Sequence, residues 1–534
     1  MKTRLLKLLL VMLIAGHAVA ADKFYSDDPL QEEPPPRNAA GVKPRKLSDY
    51  YDLLENSFKE RGERNKHGVT IGARNVNTLG EPMDGAWYRR RHYWNPMSSE
   101  ELARGSGGNN HPSAEGTWTL VSAKSEGISP GFVMTDAKGD RYFVKFDPVS
   151  NPEMATGAEM IVSRLFYALG YHVPDDYLIY FAPERLIVGE GVQFTDSTGR
   201  KRTMTQRDLR KLLAKIPKNS NGKFRGIASL QIPGKPVGPF KYFGTRSDDP
   251  NDIIPHEHRR ELRGLFVFCA WLSHNDSRSI NTLDTLVEEG GSQYVRHFLM
   301  DFGTALGSAS TSAKTARAGG EYYLDFKHAL RQMATFGLAV PYWAHAHYPY
   351  YPSVGGFESA TFRPDKWMPD YPNAAFLNRL PDDEFWAVKQ VMAFTDDQIR
   401  EIVKVAQYSD PRAAQYVADA LIERRNKIGD TYLPRVLPLD RFAVEHGDLV
   451  FHDLAKEHGL EEKAPLRVTW SRFDNKTNQK TAISTAQGFH LPGDFGSAYL
   501  AADIWRGEDT KKTVTVYLRM TDSGAEVVGI DRTW

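Results

Sequence analysis

Cysteine is almost missing from this chain: Cys269 is the single one in 534 residues. No intramolecular disulfide can form and a Cys-built zinc site is excluded, so stability has to come from an apolar core. Cys269 sits within the apolar stretch 265–272 and reads as a small buried hydrophobe. Net charge is missing too. Lys+Arg number 68 against 67 Asp+Glu, which leaves no field for collecting nucleic acid. Long apolar runs are scarce, and the one that matters opens the chain. Lys2, Arg4 and Lys7 lead into an apolar run from Leu8 to Ala15, followed by Ala18-Val19-Ala20. That run is far short of the ~20 residues a bilayer-spanning helix needs, and its flanks are those of a secretory signal peptide cut after Ala20. The expectation is a periplasmic or secreted mature chain with no integral membrane segment.

What is present has globular proportions: 41% hydrophobic, 25% charged and 11% aromatic. At roughly 100–200 residues per domain, the length predicts two to four domains. After the leader over 1–20, residues 21–45 are polar and proline-rich, including Glu32-Glu33-Pro34-Pro35-Pro36, and read as a flexible, disordered linker. Residues 46–116 form an N-terminal extension with a short helix expected over 47–60. From Thr117 strands are expected at 117–123, 131–135 and 141–146, with Ala137-Lys138-Gly139-Asp140 as a turn. A helix follows at 156–169, where Ala158, Ile161, Val162, Leu165 and Leu169 recur at helical spacing before Gly170. Further strands fall at 177–181 and 186–188, and a helix at 205–216. A Gly/Pro/Lys-rich irregular segment then runs to Asp252. The helix predicted over 256–273 stops at His274-Asn275-Asp276, and the β-like stretch 295–300 stops at Asp301-Phe302-Gly303. Residues 304–320 are small and flexible, helical patterns hold from Leu324 to Ile428, and Pro434 and Pro438 mark a boundary. The last hundred residues, 434–534, alternate as strands do and predict a β-rich C-terminal unit.

Four features stand in one order: strand-borne Lys145, helix-borne Glu159, loop Asp276 with Asn281, and strand-end Asp301. Phosphoryl transfer needs a cation on the phosphates, a carboxylate to hold it, a base near the acceptor hydroxyl and oxygen ligands for Mg²⁺. The chain offers one candidate for each. Alternation points Lys145 opposite to Val144 and Phe146, away from the core and into a cleft. Glu153 is a rival to Glu159 for the partner role. Asp276 and Asn281, five apart on a loop, can aim at one site, one accepting a proton and the other ligating metal. Asp301 at a strand end can reach a cation while Phe302 anchors below. The same tripeptide recurs at Asp494-Phe495-Gly496, but after Leu491-Pro492-Gly493 instead of a strand, and reads as a turn.

The zinc-protease signature is incomplete: His256-Glu257-His258-Arg259-Arg260 lacks the second histidine of H-E-x-x-H. His345 and His347 lie in an aromatic-rich loop and read as packing or surface residues. A carbohydrate-binding or hydrolytic envelope protein rests only on the Trp and Tyr residues near 342–372.

Taken together, the ordered set resembles the protein-kinase-like superfamily over roughly residues 117–430, best over 262–307. The phrase Gly157–Gly170 followed by Val173-Pro174 looks more like its atypical branches: HipA-like, phosphatidylinositol-kinase-like, and CotH-like or secretory kinases. The resemblance implies an α+β, two-lobed protein-kinase-like fold, with a β-rich small lobe over 117–190, a helical large lobe over 191–433 and a C-terminal β-rich accessory unit. It implies that Lys145 contacts the phosphates of ATP and pairs with Glu159. By the same resemblance Asp276 is the catalytic base, and Asn281 and Asp301 bind Mg (or Mn). No G-x-G-x-x-G precedes Lys145; Ser125 and Gly127, within 124–131, stand where that loop should be and could cradle phosphate. His274-Asn275-Asp276 replaces His-Arg-Asp, and no Ala-Pro-Glu follows Asp301. The expected activity is ATP-dependent phosphotransfer to an unknown protein, lipid or sugar acceptor. AMP transfer on the same fold, or a catalytically inactive pseudokinase acting as a binding scaffold, are the alternatives.

Overall fold

The computed structural model describes residues 21–65, 69–123, 131–195, 200–460, 464–484, 488–493, 497–522 and 524–534. The expected leader over 1–20 lies outside them. Strands β1 (Trp118–Ala123), β2 (Gly131–Thr135) and β3 (Arg141–Lys145) form where apolar residues alternate. In β3 Tyr142 and Val144 face inward while Arg141 and Phe143 face out. The β2–β3 turn works as its residues dictate: Asp136 Oδ1 accepts the N–H groups of Lys138 and Asp140, and Gly139 takes φ 94°. Strands β4 (Asp176–Phe181), β5 (Leu186–Val188) and β6 (Phe224–Leu230) complete a six-stranded sheet in the order β4-β6-β3-β2-β1-β5. Every pairing in it is antiparallel except β1 with β5.

Strand β6 lies within the stretch expected to be irregular, and it carries the small-sheet unit past the expected boundary at 190. Gly226 explains how it fits: a Cβ there would stand 2.9 Å from the Phe146 ring and 3.0 Å from the Lys145 carbonyl oxygen. Helix α4 (Gln206–Leu213) closes the same core with Leu209 and Leu213.

Most of the remaining helices gather around a second, larger core. Helices α1 (Asp49–Phe58) and α2 (Ser99–Arg104) come from the N-terminal extension, and α3 (Met154–Ala168) lies between the two cores. Helices α5 (Arg260–Trp271), α6 (Phe326–Ala334), α7 (Pro381–Met392), α8 (Asp396–Lys404) and α9 (Pro411–Tyr432) follow. Phe268 and Trp386 are fully buried and meet at the α5–α7 contact. Gly264 allows that approach, because a Cβ there would lie 2.5 Å from the Trp386 ring. The 256–273 helix divides into a short 3₁₀ turn at His256–His258 and α5. The helical pattern expected from 324 to 428 is interrupted over 335–373, where prolines at 341, 349 and 352 and many aromatics hold an irregular segment with short 3₁₀ turns.

Strand β7 (Lys235–Gly238) and the hairpin β8 (Thr282–Glu289) and β9 (Ser292–Leu299) make a three-stranded sheet. The last hundred residues hold the hairpin β10 (Leu439–Glu445) and β11 (Asp448–Asp453). They also hold a five-stranded antiparallel sheet of β12 (Leu466–Phe473), β13 (Lys480–Ala482), β14 (Tyr499–Arg506), β15 (Asp509–Thr521) and β16 (Gly524–Arg532). The proline-rich stretch 21–45, expected to be a flexible linker, is instead packed down. Phe24 is buried against Phe473, Tyr517 and Val528, and Ala39 and Val42 are buried against Val237 and Val295. The extension is likewise integral, with Trp87, Tyr88 and Leu102 in the large core. Among the described residues, no helix is long and apolar enough to cross a membrane.

Candidate active site

Lys145 is the last residue of β3, paired with Gly131 of β2 and Ile227 of β6. Its neighbours Val144 and Phe146 are sunk into the small-sheet core, so alternation turns the lysine toward α3. Its Nζ donates to Asp301 Oδ1 at 2.6 Å and stands 3.6 Å from Glu159 Oε2. Glu159 is buried on α3, and its two oxygens accept the backbone N–H groups of Phe302, at 3.1 Å, and Gly303, at 2.6 Å. One carboxylate therefore fastens the helix, the lysine and the turn that ends β9. Asp301 itself takes a left-handed backbone (φ 66°, ψ 56°), a conformation Asp tolerates better than most residues. Gly303 leaves room for the clasp; a Cβ there would lie 3.0 Å from Glu159 Oε2.

Charge follows from this geometry. Burial works against the Lys145 ammonium, but Asp301 and Glu159 outweigh it and hold its pKa above the ordinary lysine value. Burial raises the pKa of Glu159 despite the lysine. Asp176, at the start of β4, is pushed up to about 7 by burial and by the neighbouring Glu159 charge.

The second half of the site is the loop after α5. Ser273 takes φ 49°, which turns the chain out of the helix, and His274 packs its ring 5.8 Å from Phe302 and 6.0 Å from Phe166. Phe302 stacks on Phe166 at 5.1 Å and is fully buried, so it anchors the turn from below as its position predicts. Burial pulls His274 down to about 4, and its ring feels the charges of Asp276, Lys314, Asp301 and Arg278. Asp276 is buried; its carboxylate pairs with Arg278, and its carbonyl accepts Asn281 Nδ2 at 2.7 Å. Arg278 also reaches Asp49 of α1 at 2.8 Å. The Met300 N–H donates to the Asn281 carbonyl at 3.0 Å, so the β8–β9 hairpin sets Asn281 beside the strand end that delivers Asp301.

Lys145, Glu159 and Asp301 thus touch directly, and the hairpin and His274 tie Asn281 and Asp276 to them. Ser125 and Gly127 lie outside the described residues, as does the second Asp494-Phe495-Gly496. Glu153 plays no part: it heads α3 and accepts from Ser409 N at 2.8 Å and Ser409 Oγ at 3.0 Å. His256 and Glu257 are buried in structural bonds, to Asp252 at 2.8 Å and from Gly244 N at 2.7 Å. Among the described residues, no group of three or more His, Cys, Asp or Glu side chains is placed to hold a metal ion.

Three further residues join the site. Arg278 lies inside the Asp276–Asn281 spacing, and a cation two residues from the acid is the visible signal for it. Lys314, from the small-residue segment 304–320, donates to Asn275 Oδ1 and to the Thr304 carbonyl at 2.6 Å. Asn275 in turn donates to Asp370. Burial pushes Asp370 up to about 6; Lys314 works against that rise and Asp276 adds to it. A lone lysine amid Gly, Ser, Ala and Thr was a readable signal for Lys314; nothing local marks Asp370.

No protein-family profile matches the chain, and no curated protein matches it. Among solved structures, the Helicobacter pylori proinflammatory kinase CtkA aligns at 12% identity over 58% of this chain and 92% of that chain, with a TM-score of 0.30. The Golgi casein kinase aligns at 8% identity over 59% and 71%, with a TM-score of 0.26. Its complex with Mn/ADP aligns at 8% identity over 60% and 75%, with a TM-score of 0.25. These chains are kinases of low likeness to this one, and the functional reading below rests on side-chain geometry alone.

Proposed function

We propose that the chain is a kinase-like phosphotransferase that uses ATP with Mg²⁺ or Mn²⁺ to modify a hydroxyl-bearing acceptor, in the cleft between the small sheet and the helical core. The observation that carries this reading is the Lys145 ammonium held between Asp301 and Glu159, with the Asp276–Asn281 loop fixed alongside by the hairpin. In it Lys145 binds phosphate oxygens and Glu159 orients Lys145. Asp276 orients the acceptor hydroxyl and takes its proton as the γ-phosphoryl group passes to the acceptor oxygen and ADP leaves.

The donor set fits a hard divalent cation. Asp301 supplies a carboxylate, and Asn281, whose Nδ2 is committed to the Asp276 carbonyl, supplies its amide oxygen. When bound, the ion neutralises charge on the phosphates. Arg278 now occupies the Asp276 carboxylate, so an incoming acceptor must share that carboxylate with it. Export follows from the leader over 1–20, and the C-terminal sheet serves as an accessory unit; cell fractionation with and without the leader tests the first.

The test compares wild type, Asp276→Asn and Asp301→Asn with ATP labelled at the γ- or α-phosphate. Wild type transfers γ-label, Asp276→Asn binds nucleotide without transfer, and Asp301→Asn loses metal-dependent binding while staying folded. Label from the α-position would make the reaction AMP transfer. No thermal shift of wild type with any nucleotide and metal would end the enzyme reading.

A further inference from the structure

Helix α6 is built inside out. Its polar stripe, Asp325 (its N-cap), His328, Gln332 and Thr335, is half-buried against its own chain. Asp325 holds His328 at 2.9 Å, and Gln332 donates to the Ala339 carbonyl at 2.7 Å. Its apolar stripe, Phe326, Leu330 and Met333, faces solvent instead. The chain beyond it continues the pattern, with Phe336 93% and Leu338 85% exposed. Helix α1 adds Tyr51, Leu54 and Phe58 to the same surface, joined through the Phe58 and Phe326 rings at 6.0 Å. A patch of this kind in water marks a surface that something covers.

The charges around the patch say what. Lys327 and Arg331 flank the apolar stripe, are exposed, and form no ion pair among the described residues. Behind the helix lies a cavity of about 400 Å³ lined by His328, Arg331, Gln332, Lys366 and Asp365. Asp325 is engaged by His328, and on α1 Asp49 pairs with Arg278 and Glu55 with Arg61 and Lys241, which leaves Lys59, Lys327, Arg331 and Lys366 exposed against Glu60 and Asp365. An apolar stripe with cations at its edge and tyrosines around it is the pattern of a helix lying in a membrane interface, with side chains among acyl groups and cations among headgroups.

We propose that the face formed by α1 and α6 seats on a bilayer surface carrying anionic headgroups. Phe326, Leu330 and Met333 insert, and Lys327 and Arg331 meet the phosphates. The opposite side of α1 lies beside the catalytic loop, because Asp49 pairs with Arg278 and the buried Asp52 accepts from Ser279 Oγ at 3.2 Å. The docking stands whether or not the site transfers phosphate.

The experiment sediments the chain from residue 21 onward, so that the apolar leader contributes nothing. It is mixed with vesicles of phosphatidylcholine alone or with added phosphatidylglycerol. Wild type pellets with the anionic vesicles, less with phosphatidylcholine alone, and less as salt is raised. The triple variant Phe326→Ser, Leu330→Ser, Met333→Ser partitions at least about tenfold less, with an unchanged melting curve because all three side chains are exposed. Lys327→Glu with Arg331→Glu loses only the gain from phosphatidylglycerol. Wild type staying in the supernatant with both vesicles would overturn the proposal, as would a triple variant that pellets like wild type. So would a vesicle-independent dimer that the triple variant dissolves, because a second copy would then be the cover.

Discussion

The clasp around Lys145 makes its sharpest prediction in a double-mutant cycle of Lys145→Met and Glu159→Gln. Lys145 faces two carboxylates, at 2.6 and 3.6 Å, and its side chain is 32% exposed. Breaking a fully buried pair costs about 3–5 kcal/mol and an exposed one about 0–1. For this partly solvated lysine the expected loss is about 1–3 kcal/mol, discounted for solvent screening. Glu159→Gln keeps one oxygen for one of the two N–H groups of Phe302 and Gly303 but turns an amide NH₂ toward the other. That strands one donor, for about 1–3 kcal/mol. Together the two changes must cost less than their sum. With the ammonium gone, Glu159 and Asp301 face each other uncompensated, and removing the Glu159 charge relieves that repulsion by about 1–2 kcal/mol. The pH dependence carries the same sign. Burial already raises Glu159, and losing Lys145 raises it further, so folded Lys145→Met binds a proton more tightly than its unfolded chain. Its stability is therefore greatest at low pH and falls as pH rises through the folded-state value; the double variant loses that slope. In wild type the raised Lys145 contribution is complete at neutral pH and lost only as pH climbs through its folded value, well into alkali. Urea unfolding at a series of pH values measures all four corners. Effects that add to within about 0.5 kcal/mol, with no slope peculiar to Lys145→Met, would refute the clasp.

Two further outcomes follow from the same geometry. Gly303→Ala puts a methyl group 3.0 Å from Glu159 Oε2 and 3.4 Å from the Ala155 carbonyl oxygen, so the carboxylate has to shift. Nucleotide affinity should fall, with about 1–2 kcal/mol lost in urea unfolding, and an affinity equal to wild type would show that Glu159 does not position Lys145. Two buried groups should bend the stability profile in opposite directions. His274, pulled down to about 4, stays neutral in the fold while the unfolded chain protonates near 6.5, so about 3 kcal/mol is lost as pH falls through that interval. Asp176, pushed up to about 7, holds its proton in the fold, so its contribution is lost as pH rises from the ordinary carboxylate range toward 7. Calorimetric melts of His274→Phe and Asp176→Asn should each flatten one limb; profiles that superimpose on wild type would count against both assignments.

Much of the site was legible because its parts are local. Strand β3 declares itself by alternation around Val144, α3 by its apolar spacing, and the turn at Asp301 by a strand that ends on Asp-Phe-Gly. What the sequence hides is pairing at a distance. Strand β6 reads as loop because Gly226 breaks its pattern, yet that glycine is what lets it lie under Phe146 in the sheet. The prolines of 34–36 look like a linker until Phe24 and Val42 find pockets far along the chain. Lys314 finds Asn275 from 39 residues away, and no local rule predicts that meeting.

Those distant contacts are what make the loop after α5 rigid. Asp49 holds Arg278, Asp52 accepts from Ser279 and from Tyr371, and Lys314 with Asp370 grips Asn275 from the other side. The loop is therefore fixed by three separate stretches of chain before any ligand arrives, and a loop fixed in advance loses little entropy when it engages a substrate. In this state two cations rest against two acids, Lys145 on Asp301 and Arg278 on Asp276. Each pair holds positive charge where the proposed reaction needs it. Phosphate oxygens compete with the acids for the cations, and a divalent ion competes with Lys145 for Asp301. On that reading nucleotide and metal bind by exchanging partners within a cluster of paired charges, so either one alone should bind weakly and each should strengthen the other.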